Sequence, residues 1–256
     1  MDDLLNGDFM TYKVLDLFSG IGGFSLGLER AGMETIAFCE IDKKCRYVLK
    51  KHWPDVPIFD DVKKVSGVNA DVVCGGFPCQ DISIAGKGKG INETTRSGLW
   101  FEFKRIIKEV KPSYAIIENV ERLRYNGLAT VLSDLWGIRY DAEWHIIPAS
   151  AVGAPHKRER IWIIAYPCGN HSSGILNAKD VIQDNQQWQF PKNIRSWHGW
   201  QYWFASHVFD GNRTENATED NRVDDGLQRR VDRVKQLGNS VVPQIPELIG
   251  RAILAI

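Results

Sequence analysis

The chain of 256 residues has room for one α/β domain with a small appendage. Hydrophobic residues make up 43% and charged residues 25%, the proportions of an ordinary globular protein rather than of a disordered or membrane-embedded one. Lys+Arg and Asp+Glu both number 32, which excludes a global positive field, so any phosphate contact has to be local.

In chain order, KVLDLF predicts a short apolar strand and FSLGLERAG a helix closed by Gly32. TIAFCE predicts the next strand, KKCRYVLKKHW a helix stopped by Pro54, and ADVVCGGF a buried strand ending in glycines. In LWFEFKRIIKEV, residues Leu99, Phe103, Ile106, Ile107 and Val110 fall on one helical face, and Pro112 ends the helix. YAIIEN then predicts a strand, LATVLSDLW a helix, and YDAEWHII and RIWIIAY two further strands. Such alternation implies a doubly wound, mostly parallel sheet.

The pattern breaks after Tyr166. Residues 168–225 are polar, rich in Asn, Asp and Gln, and hold Trp188, Trp197, Trp200 and Trp203 close together. A final apolar helix, PELIGRAILAI, follows Leu237-Gly-Asn-Ser-Val-Val-Pro. The expected division is therefore 1–167 as a main domain, 168–225 as an insertion, and 226–256 as a segment returning to the main domain. The opening MDDLLNGDFMTY is acidic and lacks the apolar core of a signal peptide, and no apolar run has the length of a membrane span. Cys39, Cys45, Cys74, Cys79 and Cys168 are an odd set without framework spacing, which suits a reducing cytoplasm.

DLFSGIGGF is a glycine-rich turn between the first strand and first helix, and Glu40 ends the second strand where it can meet ribose hydroxyls. Position 25 is Ser, so the dinucleotide fingerprint is incomplete, and either a dinucleotide or an adenosine-type cofactor suits the residues. GGFPCQDIS places Cys79 where a parallel strand gives way to a loop, the edge at which open α/β sheets bind ligands. A charge run such as HKRER is ordinarily a solvated face, but here it stands between the apolar turn ASAVGAP and the buried strand IWIIAY.

With DLFSGIGGF, Glu40, Asp61-Val62, GGFPCQDIS, ENV (118–120), HKRERIW (156–162) and LGNSVVPQ (237–244) in this order, the chain resembles the C5-cytosine DNA methyltransferases. The resemblance covers nearly everything but the insertion. It implies a Rossmann-like methyltransferase fold with a small target-recognition insertion at 168–225. It implies S-adenosylmethionine as cofactor, S-adenosylhomocysteine as product, and no metal. By the same resemblance Cys79 is the nucleophile, with Pro78 and Gln80 shaping its loop, and Glu118 holds N3 and the exocyclic amine of cytosine. Arg160 reaches O2, Arg158 is its neighbour, and Asn119 braces the loop. Phe18, Gly20 and Gly22 match the cofactor turn, Glu40 the ribose ligand, Asp61 and Val62 the adenine contact, and Asn239 and Ser240 the element closing over the methionine end.

Two departures stand out. His156 occupies a position where family members usually have Gln, and the recognition region is short. Its tryptophans suit plain packing or entry into DNA beside an extruded base, with Arg195, His198, Gln201 and Arg213 as candidate readers. The resemblance further implies double-stranded DNA as partner, no membrane, a monomer, and a bacterial or phage-encoded cytoplasmic enzyme, with a cognate restriction endonuclease as a candidate partner. Lys87, Lys89 and Arg96, in the glycine-rich loop after Cys79, are candidate phosphate contacts. The competing readings are an RNA cytosine-5 methyltransferase and a catalytically inactive DNA-binding relative.

Overall fold

A computed structural model describes residues 11–78, 98–154, 157–169 and 240–256. Cys79, Gln80, Lys87, Lys89, Arg96, His156, Asn239, and the insertion beyond Gly169 with its tryptophans and candidate readers all lie outside the described residues.

Seven strands form one sheet among the described residues, in the order β3-β2-β1-β4-β5-β7-β6. They are β1 (Lys13–Leu17), β2 (Glu34–Cys39), β3 (Ile58–Phe59), β4 (Val72–Gly76), β5 (Tyr114–Val120), β6 (Tyr140–Pro148) and β7 (Glu159–Pro167). Pairing is parallel from β3 to β5, while β7 runs antiparallel to both β5 and β6. The expected doubly wound, mostly parallel sheet is therefore present. Strand–helix alternation does not reveal the reversal: β7 returns from β6 through a short 3₁₀ turn at Ala149–Val152 and slots between β5 and β6. Nor does it reveal β3, whose two residues are too few to show a period.

The helices are α1 (Gly23–Ala31), α2 (Lys43–His52), α3 (Leu99–Val110), α4 (Leu128–Gly137) and α5 (Gln244–Leu254). Alternate residues of each strand point to opposite faces, so the sheet carries two apolar layers. On one face Val14, Val72, Cys74, Ile116 and Ile164 meet Phe24 and Leu28 of α1 and Ile245, Ile249 and Ile253 of α5. On the other, Leu15, Leu17, Val73, Ile117 and Ile163 meet α3 through Trp100, Phe103 and Ile107, and α4 through Val131 and Leu135. The indole N–H of Trp100 donates to Asp134 Oδ2 at 2.8 Å and Lys104 Nζ pairs with Asp134 Oδ1 at 2.8 Å, tying α3 to α4.

α1 and α5 approach closely because each presents a glycine to the other across the contact. A Cβ on Gly27 would stand 2.2 Å from the Pro243 carbonyl oxygen, and one on Gly250 would stand 2.8 Å from Ala31 Cβ. Gly27→Ala should therefore overpack the contact and lower stability by about 1–3 kcal/mol. Gly137→Ala, where a Cβ meets nothing within 4 Å, should be neutral or slightly stabilising. Urea midpoints of the two variants check this, and equal midpoints would contradict the packing account.

Candidate active site

The chain leaves β1 for β2 on one side and later enters β4 on the other, with α1 and α3 on opposite faces. That reversal opens a crevice at the carboxyl ends of β1 and β4. The strand ends are otherwise tight: a Cβ on Gly75 would stand 2.1 Å from the Leu17 carbonyl oxygen. The crevice is a cleft of about 260 Å³ whose walls include Phe18, Gly20, Glu40, Gly76, Glu118 and Ser240.

One wall is the glycine-rich turn. Phe18, Gly20 and Gly22 all have left-handed backbones, with φ of 54°, 57° and 88°. Glycine takes that conformation freely, whereas for a bulky residue such as Phe18 it is strained. Ser19 pins the turn: its backbone N–H donates to the Cys39 carbonyl at 3.1 Å and its hydroxyl to the Asp16 carbonyl at 2.7 Å. Gly22 carries no side chain because the Trp53 ring fills the place, 2.6 Å from where a Cβ would stand. The Trp53 indole N–H donates to the Glu29 carboxylate at 2.8 Å, which fixes the ring there.

Glu40 joins that turn to the start of α2. Its Oε2 accepts from Gly20 N at 2.7 Å and its Oε1 from Asp42 N at 2.8 Å. Burial raises its pKa, while the two amide bonds pull it back. Arg46 braces the same corner by donating to the carbonyls of Glu40 (2.9 Å) and Ile41 (2.7 Å). A carboxylate oxygen can accept more than one hydrogen bond, so Glu40 retains acceptor capacity toward the cleft.

The opposite wall is the end of β5. Gly76 and Glu118 are register partners, and a Cβ on Gly76 would stand 2.7 Å from Glu118 Oε2, so the glycine makes room for the carboxylate. Across the antiparallel pair Val120 faces Arg160, which sets Arg160 diagonally to Glu118 on one face of the sheet. Arg160 Nε reaches Glu118 Oε1 at 2.8 Å. Burial raises the Glu118 pKa, and the positive charges of Arg160 and Arg158 oppose that rise without cancelling it. Asn119, on the other face, donates from Nδ2 to the Phe77 carbonyl at 3.0 Å and accepts the Val120 amide at 2.9 Å. The strand end is thereby tied to the residue before Pro78.

Phe18, Gly20, Glu40, Glu118 and Ser240 thus converge on one cleft, with Gly22 beneath the turn and Arg160 behind Glu118. Asp61 and Val62 are not on its walls: Asp61 caps a 3₁₀ turn, accepting from Lys63 N at 3.0 Å, and Val62 is buried within that turn. Sequence reading missed Asp42, Cys45, Phe24 and Val241, which also line the cleft. Of these, Asp42 had a signal, since an Asp before KKCRYVL is a helix cap, and it accepts from Lys44 N at 2.8 Å.

The raised Glu118 carboxyl makes a signed prediction. The unfolded chain ionises this group near its ordinary value of 4.5, the folded chain only at higher pH. Its contribution therefore favours the fold at acid pH and is lost as pH climbs through that interval. Relative to wild type, Glu118→Gln should gain stability as pH rises above about 4.5, read from urea midpoints of both proteins. A relative loss would mean that the Arg160 ion pair outweighs burial.

Residues 12–229 match the family model described as C-5 cytosine-specific DNA methylase. The chain is 38% identical over 195 residues to the Type II methyltransferase M.Eco47II of Escherichia coli, a match covering 68% of this chain and 46% of that protein. It is 34% identical over 193 residues to the Type II methyltransferase M.HaeII of Haemophilus aegyptius, covering 68% of this chain and 60% of that one. The chain thus spans about half the length of these relatives. Among solved structures, the Entamoeba histolytica methyltransferase EhMeth shares the fold, with a TM-score of 0.65 over 96% of this chain and 98% of the other at 16% identity.

Proposed function

The chain belongs to the C-5 cytosine-specific DNA methylase family, and from that premise we propose that it transfers a methyl group from S-adenosylmethionine to carbon 5 of cytosine in double-stranded DNA. The observation that carries the proposal is the buried Glu118, paired with a partly exposed Arg160, on one side of a cleft whose other side is the Gly20–Glu40 turn.

The residues present fit S-adenosylmethionine. Glu40 has acceptor capacity left for a pair of ribose hydroxyls, and a Cβ on Gly20 would meet no heavy atom within 4 Å, so the backbone there is open to close approach. Phe18 offers an apolar face on the same wall, and Ser240 stands near the start of α1, its Oγ 2.7 Å from where a Cβ on Gly23 would be. When bound, the cofactor supplies a methyl group on a sulfonium, leaving as S-adenosylhomocysteine. Asp61, Val62 and Asn239 remain expected contacts from the family resemblance alone.

Carbon 5 of cytosine is a poor nucleophile, and the chain's task is to enrich it. Cys79, immediately after Pro78 in sequence, adds as thiolate to carbon 6 and turns the ring into an enamine. Negative charge then builds toward N3 and O2. Glu118, whose carboxyl burial pushes up, donates to N3 in its protonated form, and Arg160, with Arg158 beside it, stabilises O2. After methylation, loss of the C5 proton and of the thiolate restores the aromatic ring. Asn119, with Pro78 and Gln80, holds the loop that carries the thiol. Since a base inside a duplex cannot reach such a pocket, the cytosine is flipped out. Lys87, Lys89 and Arg96 contact phosphate and residues 168–225 read the sequence, in a monomer that a restriction endonuclease can accompany.

Incubation with methyl-labelled cofactor and either duplex DNA or RNA tests this reading. Label should enter DNA at carbon 5 of cytosine. Label in RNA alone, or in neither, would contradict it. Cys79→Ala should abolish transfer yet bind S-adenosylhomocysteine as wild type does, because the thiol acts on the base. Glu118→Gln should slow transfer by about a hundredfold or more, the loss of a positioned general acid. Glu40→Ala should chiefly weaken cofactor binding. If the Glu118 and Glu40 variants shared one kinetic phenotype, their separate roles would be wrong.

A further inference from the structure

The chemistry above leaves Asp16 without a task, although its side chain is wholly withdrawn from solvent at 0% exposure. Asp16 Oδ2 accepts from the Ser25 hydroxyl at 2.8 Å and from the Ser25 amide at 3.3 Å, while Oδ1 is buried with no hydrogen-bond partner among the described residues. Ser25 is the third residue of α1, and the cap position of that helix is Gly22, which has no side chain to offer the first-turn amides. A carboxylate from the preceding strand supplies that cap instead. The carbonyl of the same residue accepts from the Ser19 hydroxyl at 2.7 Å. One residue therefore grips both sides of a turn in which Phe18, Gly20 and Gly22 are all left-handed.

We propose that Asp16 is a positioning residue for the cofactor: by holding Ser19 through its carbonyl and Ser25 through its carboxylate, it keeps residues 18–22 in the form that binds S-adenosylmethionine. The inference rests on the cofactor reading above, and Asp16 acts through the turn rather than by touching the ligand. Strained backbone persists only where its surroundings over-determine it, and these two anchors are part of what does so here. An acid suits the place better than a neutral acceptor, because a charge at the positive end of a helix dipole makes the stronger cap.

The charge is not permanent. Burial pushes the Asp16 carboxyl up to about 7, the two Ser25 bonds pull it down, and the carboxylates of Glu40 and Glu29 push it up. Facing it from β4 is the Cys74 thiol, itself held well above its usual range by burial. On α5, which packs on α1, the Glu247 carboxylate is paired with Arg251 at 2.8 Å. As pH rises through about 7 the carboxyl ionises, the cap tightens, and the turn is held more firmly.

Calorimetric titration of S-adenosylhomocysteine into the intact chain, at about pH 6 and about pH 8, tests the proposal. Wild type should bind about threefold more tightly at the higher pH. Asp16→Ala should bind about tenfold more weakly. Asp16→Asn keeps an acceptor of the same shape, so it should recover most of that loss at the lower pH but show no tightening beyond what the ligand's own ionisation imposes on every variant. Ser25→Ala, which keeps the amide bond, should lose about threefold and serves if Asp16→Ala does not fold. Wild-type affinity and wild-type pH dependence in Asp16→Asn and Ser25→Ala would overturn the positioning role. Failure of wild type itself to bind would instead overturn the cofactor reading.

Discussion

Glu118 keeps its carboxyl group almost out of water, and its neighbours are shaped by the cost of doing so. A buried carboxyl is tolerated when it is neutral or when it is paired. Gly76 gives up a side chain to leave it space, and Arg160 is brought to 2.8 Å from it by the reversed strand β7. Were β7 parallel, the register that sets Arg160 diagonal to Glu118 would be lost. Asn119 then uses the opposite face of the same strand to fix the Phe77 carbonyl. An acid poised between protonation by burial and ionisation by arginine suits a group that donates a proton as charge develops and takes it back afterwards.

The other side of the cleft works by constraint rather than by charge. Its turn has little freedom left, because Ser19 bonds to β1 and β2, Gly20 donates to Glu40, Trp53 fills the place beside Gly22, and Asp16 holds α1. A surface set before a ligand arrives spends less of the binding energy on ordering it. α5 adds to this from beneath, since its close contact with Gly27 seats α1 against the sheet.

Most of the framework was legible in the sequence. The apolar face of Leu99, Phe103, Ile106, Ile107 and Val110 and the stop at Pro112 mark α3, which spans Leu99–Val110. The strands of the buried sheet showed as apolar runs ended by glycine or an acid. What periodicity could not show was direction and convergence. Nothing in RIWIIAY says that β7 runs backwards, and nothing local says that Trp53 ends against Gly22, thirty-one residues earlier. Ser25 is the sharper case. In sequence it spoils the dinucleotide fingerprint; in the fold it is the partner of Asp16. Phe18 stood out in sequence through resemblance alone, whereas its left-handed backbone marks it physically. Glu118 was marked by resemblance, whereas Glu40 was visible because it ends the apolar run TIAFCE. Asp42 and Cys45 were less so, since only the path from β2 into α2 turns them to the cleft.

The central claim is that Cys79 attacks cytosine beside a protonated Glu118. Its most direct test is mass spectrometry of the chain after turnover on duplex DNA carrying 5-fluorocytosine. Fluorine at carbon 5 blocks the final elimination, so the account predicts a stable protein–DNA adduct carrying one methyl group, with the cross-link on the peptide containing Cys79. Recovery of unmodified protein under conditions that methylate ordinary cytosine, or a cross-link on any other residue, would contradict it.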